Sequence, residues 1–385
     1  MKVVGIIAEF NPMHTGHKYL VEEAKKVTNS DVAICIMSGD FTQAGNITLK
    51  NKFERAKIAI ENGFDAVIEL PVIYATASAQ YFAKGAIEIL DSLNCIDYLV
   101  FGSETANTEE LIVISRRLCI NEKEIWEKTT EYLKDGISFA KAREQAISEF
   151  LTDKQLSVAT QPNNILGIEY LKNLFMLKSK IKPIAIKRLE DNSTASATHI
   201  RELIQNNELD EANKYILDKI NDNFSVLTND SILEVIKYNI VSNSIENLSN
   251  INEVTEGIEN VLVKKVSSAN NYSDFIQEIK SKRYQLSKIK RILINILLDI
   301  TKDDFSKLSN AHYAHVLCVK QGRKKDVLSL LNSNTSIPVI VSLSDERIES
   351  LKEENTNSLR LDIKASNIYS ILSNDKINKD YTNRV

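Results

Sequence analysis

Cysteine is scarce in this chain: Cys35, Cys95, Cys119 and Cys318 lie far apart and form no CxxC pair. That spacing excludes a disulfide framework and a zinc ribbon, and fits thiols kept reduced. Long apolar runs are missing too. No stretch approaches the roughly 18 residues that a membrane helix needs. The opening MKVVGIIAEF is too short an apolar segment for a secretory signal, and no small-residue cleavage site follows it. Neither sign of charge dominates, with 48 Lys and Arg against 52 Asp and Glu and a net charge of −4. Composition as a whole therefore does not advertise a polyanion partner. We expect a cytoplasmic protein with no membrane association. At 385 residues and 43% hydrophobic content, two domains sharing an interface are the default expectation.

What the chain does contain is a regular alternation over its first hundred residues. Short Val- and Ile-rich runs at 3–8, 32–37, 66–70 and 98–101 suit strands buried on both faces. Amphipathic helical patterns at 17–27, 51–62 and 78–93 separate them. A further strand is expected at 182–186, before a polar loop at 190–197. This reads as an α/β fold, a Rossmann-like doubly wound parallel sheet, with a mostly helical C-terminal part. The boundary is placed near residue 205, giving a catalytic domain over 1–205 and a helical one over 206–385. Two late apolar segments, 314–319 and 337–341, are expected to form a small secondary sheet. Ligands of such folds bind beyond the carboxyl ends of the strands, so a motif directly after a strand carries the most information.

Such a motif follows the first run: Glu9-Phe10-Asn11-Pro12-Met13-His14-Thr15-Gly16-His17. Two of the five histidines of the chain fall here within four positions. At a strand-to-helix turn, Gly16 lets the backbone approach a phosphate, and the helix start would offer free N–H groups and its positive dipole end. His14 and His17 can donate to phosphate oxygens as charge builds in a transition state. Histidines three apart can also share a metal ion, but no third ligand is evident nearby, so we expect no metal site.

The F-N-P-x-H-x-G-H stretch resembles the signature of the HxGH nucleotidyltransferase superfamily. Ser196-Ala197-Thr198-His199-Ile200-Arg201 looks like its second motif, where a hydroxyl and an Arg at a helix start hold the β- and γ-phosphates. Further stretches are similar to one bacterial family. They are 38–43 (SGDFTQ), 69–71 (ELP), 81–85 (YFAKG), 101–104 (FGSE), 162–167 (PNNILG), 282–284 (KRY) and 361–363 (LDI). That family is the tRNA(Met) cytidine acetate ligases. The resemblance implies that ATP and acetate give acetyl-adenylate, and that the acetyl group passes to the N4 amine of the wobble cytidine of elongator tRNA(Met). It implies His14 and His17 as catalytic residues, with Mg²⁺ riding on the phosphates. By the same resemblance ATP lies on Ile7, Ala8, Glu9, Phe10, Asn11, Pro12, His14, Thr15, Gly16, His17, Gly102, Asn163, Asn164, Arg188, Ser196, Thr198 and Arg201. Which of Asn163 and Asn164 makes the contact stays open. Two positions depart from the family, Ala44 and His315, where Arg is usual; they bear on RNA affinity rather than on ATP use.

The second half holds a basic stretch, Lys280, Lys282, Arg283, Tyr284, Lys288, Lys290 and Arg291, with no acid among residues 280–291. Its cations would grip tRNA phosphates while Tyr284 stacks on a base. A second cluster, Lys320, Arg323, Lys324 and Lys325, would add to it. Phosphate contacts position an RNA without selecting it. Two rival readings remain: a small-molecule adenylyltransferase of the cofactor-synthesis type, which would need no basic C-terminal half, and a non-catalytic RNA-binding relative. A class I aminoacyl-tRNA synthetase is disfavoured, because no K-M-S-K-S loop occurs.

Overall fold

The structure is a computed structural model that describes residues 1–189, 195–221 and 227–383. Strands β1 (Val3–Ala8), β2 (Val32–Ser38), β3 (Ala66–Leu70), β4 (Tyr98–Ser103) and β5 (Lys182–Lys187) form where the apolar runs lie. β2 and β3 are buried at every position, as strands covered on both faces must be. The helices between them are α1 (Thr15–Thr28), α2 (Lys52–Glu61) and a third, Ala79–Ser92.

The strand order β5-β4-β1-β2-β3, continued past β3 by β6 (Ala314–Val319) and β7 (Val339–Ile340), explains where a ligand can enter. The chain winds outward from β1 through β2 to β3, then returns to place β4 on the other side of β1. Loops leaving the carboxyl ends of β1 and β4 therefore diverge in opposite directions and open a crevice between them.

The late apolar segments correct the sequence expectation. They do not build a separate sheet. β6 (Ala314–Val319) pairs antiparallel with β3, and β7 (Val339–Ile340) pairs parallel with β6. The sheet is thus seven-stranded and mostly parallel rather than wholly so. An uncovered β3 would leave a row of unpaired backbone groups beside an apolar strand, and residues from far along the chain supply the missing neighbour. Helix Glu353–Leu372 also returns to this region: the Asp362 carboxylate accepts the Val72 N–H at 2.7 Å and the Tyr313 hydroxyl proton.

Beneath β3 lies a buried charge cluster. Lys52 Nζ is 2.9 Å from Glu69 and 2.6 Å from Asp380, and His315 Nδ1 is 2.7 Å from Glu69. Burial opposes ionisation of Glu69, yet Lys52 and His315 hold its pKa down to about 2. Glu69, His315 and Asp380 form the one grouping with metal-ligand spacing among the described residues. The Lys52 ammonium already sits against two of its three members, supplying their countercharge. His315 therefore spends its imidazole on the scaffold. The four cysteines are all free thiols.

Candidate active site

The HxGH turn is built by two histidine rings that each accept a backbone N–H of the turn. His14 caps α1 in an extended conformation, and its Nδ1 accepts the Gly16 N–H at 3.2 Å. In return the His14 N–H donates to His17 Nδ1 at 3.2 Å. The rings lie 3.8 Å apart between centroids. An imidazole nitrogen that accepts from a backbone N–H carries no proton itself, so in the neutral ring the proton resides on Nε2. Both rings are held neutral. Burial, and then the positive charge of Arg188, lowers the His14 pKa to about 4. Burial, His14 and Arg188 lower that of His17 well below the usual range. The turn therefore presents two fixed Nε2–H donors.

Gly16 fits the same design, since a Cβ there would stand 3.1 Å from the His14 ring atoms. The expected free N–H groups at the start of α1 are absent. Thr15 N donates to Tyr215 O at 2.9 Å, Gly16 N to His14 Nδ1, and His17 N to His14 O at 2.9 Å. The cause lies outside the motif: the segment 215–217 runs antiparallel to residues 13–15 and takes the Thr15 donor. Only the helix dipole and the two side chains remain to meet a phosphate.

A cavity of about 430 Å³ opens at the crevice between β1 and β4. Among the sequence candidates, Ile7, Ala8, His14, Gly16, His17, Gly102, Asn163, Arg188 and Ser196 line it. Lys187, which belongs to no motif of the sequence, lines it too and brings a second cation. Its place at the end of β5, one residue before Arg188, is the signal that could have revealed it. Arg188 donates to Asn163 Oδ1 at 2.5 Å, and Asn163 Nδ2 donates to Glu104 at 2.6 Å. Glu104 also accepts the N–H groups of Asn163 and Asn164, each at 3.1 Å, fixing the start of the helix Pro162–Met176.

Several candidates do not reach this cavity. Asn164 is fully buried: its Oδ1 accepts from Ser103 at 2.6 Å, and its Nδ2 donates to Val158 O and Gln161. Of the pair, only Asn163 is placed to meet a ligand. The Asn11 side chain is a staple, donating to Ile47 O at 3.1 Å and accepting the Leu49 N–H at 3.0 Å. Phe10 packs edge-on against His17, 5.0 Å between centroids. Pro12 faces a small apolar crevice instead.

A second chamber of about 290 Å³ adjoins the first and shares Ile7, Ala8, His17, Leu166 and Tyr170 with it. The second motif straddles both. Ser196 caps the helix Ala197–Gln205, its Oγ accepting from His199 N at 3.1 Å, and faces the first chamber. Thr198 and Arg201 line the second, where Arg201 donates to Asn11 O at 2.6 Å and to Thr198 Oγ1 at 3.1 Å. Glu9 lines the second chamber as well. Of the loop that the sequence placed at 190–197, residues 190–194 lie outside the described residues.

The basic stretch divides. Lys280, Lys282 and Arg283 are exposed. Tyr284 is buried and its hydroxyl donates to Glu256 O at 2.6 Å, so it cannot stack on a base. Arg291 is buried in a two-oxygen pair with Glu253, both at 2.9 Å. Lys288 donates to Thr255 at 2.7 Å, and Lys290 to Asn46 at 3.2 Å, beside the second chamber. Arg291 falls on the inward face of the helix Leu286–Leu298, whereas Tyr284 precedes that helix and is turned inward onto Glu256 O. Of the second cluster, Arg323 is tied down beside Asp65 at 3.4 Å.

A mostly parallel sheet whose first strand runs into an HxGH turn, with a nucleotide-sized crevice at the switch point, defines a nucleotidyltransferase. The family model described as HIGH Nucleotidyl Transferase matches residues 1–384. A tRNA(Met) cytidine acetate ligase of Clostridium perfringens is 37% identical, covering 99% of this chain and 98% of its own. One from Clostridium botulinum is 38% identical, covering 99% and 97%. The crystal structure of Thermotoga maritima TmcAL bound with alpha-thio ATP superposes with a TM-score of 0.90 at 29% identity, over 97% of this chain and 95% of that one. The chain belongs to the tRNA(Met) cytidine acetate ligase family of HIGH nucleotidyltransferases. No helix among the described residues is long and apolar enough to cross a membrane.

Proposed function

We propose that this enzyme activates acetate with ATP and transfers the acetyl group to the N4 amine of the wobble cytidine of elongator tRNA(Met), giving N4-acetylcytidine. The observation that carries the chemistry is the pair of neutral, Nε2-protonated imidazoles at the end of β1. An acetate oxygen attacks the α-phosphorus, the bond to the bridging oxygen breaks, and pyrophosphate leaves. Charge accumulates on the non-bridging oxygens, and two preset donors stabilise it at no reorganisation cost. Lys187 and Arg188 attract the nucleotide into the first chamber, and Asn163 offers its amide to a base or ribose edge. From there the triphosphate runs past His17 toward Thr198 and Arg201. The first chamber has no acidic lining residue among those described, so Mg²⁺ would arrive on ATP, held by phosphate oxygens and water and neutralising their charge.

The names of the relatives support the RNA acceptor, and so does the exposed trio Lys280, Lys282 and Arg283. In this reading residues 1–205 carry the chemistry and 206–385 the tRNA contacts, although β6 and β7 complete the sheet of the first part.

The test is mass spectrometry of nucleosides from unmodified elongator tRNA(Met) incubated with protein, ATP, Mg²⁺ and carbon-labelled acetate. Labelled acetylcytidine, lost in His14→Ala and His17→Ala, is the expected result. Acetate-dependent ATP–pyrophosphate exchange without labelled RNA would retain the adenylation and make the RNA acceptor wrong. Neither signal, from folded protein, would sink the reading and favour a cofactor-type adenylyltransferase.

A further inference from the structure

Acetyl transfer from an adenylate to an aromatic amine needs a place for the base and a group to take its proton. Neither histidine can be that group. Each Nδ1 already accepts a backbone N–H, and each Nε2 is protonated. The first chamber has no acidic lining residue among those described, and the second has one, Glu9.

Resting on the ligase reading above, we propose that the second chamber receives the target cytosine and that Glu9 is the general base for acetyl transfer. The chamber shares His17 and the end of β1 with the nucleotide cavity, so an adenylate in one lies next to an acceptor in the other. Its walls suit an unstacked pyrimidine. Phe82, Leu166 and Tyr170 give apolar and aromatic surface, while Gln43 and Asn46 give amide groups for the base edge. Pyrophosphate must leave before the acceptor attacks, which vacates the end of the chamber marked by Thr198 and Arg201.

Glu9 is held in place for this role. Its Oε1 accepts the Gln43 N–H at 2.5 Å, which pins the carboxyl on the wall that carries the base-reading groups. Burial pushes its pKa above the ordinary carboxylate value, while the Gln43 N–H, Arg201, Arg55 and Ser38 pull it back. A carboxylate nearer neutrality is a stronger base than a solvated one. In the step itself, N4 forms a bond to the acetyl carbon and the carbon–oxygen bond to the phosphate breaks. AMP leaves with that electron pair, and the N4 proton passes to the Glu9 carboxylate and on to water.

The two half-reactions separate the proposal from its premise. Glu9→Gln keeps the size and the Gln43 contact but cannot accept a proton. Its loss of transfer should exceed any loss of acetate-dependent ATP–pyrophosphate exchange by at least about tenfold, and the exchange that remains shows that it is folded. Single-turnover transfer to tRNA should fall by about 10²–10⁴-fold, the usual range for removal of a general base, with acetyl-adenylate accumulating. The wild-type transfer rate should rise with pH through a single ionisation that Glu9→Gln lacks, and Glu9→Asp should be intermediate. Transfer by Glu9→Gln at the wild-type rate would overturn the proposal, as would equal loss of exchange and transfer, which would put Glu9 in adenylation. Failure of the wild-type protein in both assays would overturn the ligase reading itself.

Discussion

His14 and His17 share one protonation pattern: each ring accepts, at Nδ1, a backbone N–H of the same turn, from Gly16 and from His14 respectively, both at 3.2 Å. The contact spans three residues, yet it decides which nitrogen faces the ligand.

That pairing of donors has a kinetic signature. His14→Ala and His17→Ala should each lower ATP–pyrophosphate exchange by about 10²–10³-fold, as loss of one preset donor does elsewhere. Because the rings touch, 3.8 Å between centroids, and act on one phosphate, the double variant should cost less than the sum of the two single ones. Strictly additive losses in a double-mutant cycle would show that the rings act independently.

Acid should destabilise the site in a definite window. The His14 pKa falls from 6.5 to about 4 on folding, through burial and then Arg188. Between these values the unfolded chain binds a proton that the folded turn refuses, so stability rises with pH. The His14 contribution is complete above about pH 6.5 and is lost toward pH 4, amounting to about 3 kcal/mol for about 2.5 pKa units. The Tm difference between pH 4.5 and pH 7 should shrink in His14→Gln, and an unchanged difference would reject the assignment.

Gly45 has φ +73°, and a Cβ there would lie 2.5 Å from Lys290 Cβ and 2.6 Å from the Arg291 backbone nitrogen. No flexible tip can yield at such a contact. Gly45→Ala should cost more than the ~1 kcal/mol of the left-handed conformation alone, read as a lowered urea midpoint. It should also disturb the second chamber, which Gln43, Ala44 and Asn46 help to line.

Lys52 is buried against both Glu69 and Asp380. Lys52→Met leaves two interior carboxylates without their cation and should cost about 3–5 kcal/mol. Denaturant unfolding checks this, and a loss under ~1 kcal/mol would mean that the cluster is hydrated rather than paired.

The tRNA surface should divide as its burial does. Replacing Lys280, Lys282 and Arg283 together by Ala should weaken tRNA binding and flatten its log–log salt dependence. The slope should fall by up to about 0.7–0.9 for each phosphate that the variant no longer neutralises. Tyr284→Phe removes the hydroxyl that donates to Glu256 O. It should cost about 1 kcal/mol of stability and leave both the salt slope and the affinity of the folded protein unchanged.

What the amino-acid sequence determined by itself was local: apolar runs bounded by polar turns became β1 to β5, and the HxGH motif placed two histidines at a strand end. Periodicity and turn chemistry act over a few residues, so they can be read without a partner. Tertiary structure decided everything that depended on distant neighbours. β6 and β7 joined the main sheet because β3 needed an edge partner. Segment 215–217 consumed the Thr15 N–H that the motif alone left free. Tyr284, Arg291 and Asn164 turned inward because burial is set by what packs against a face, and composition does not record that. Glu9 passed from a motif position to a chamber wall only once residues 42–46 and the helix Ala197–Gln205 closed around it. A proton acceptor is defined by its surroundings, and those came from three separate parts of the chain.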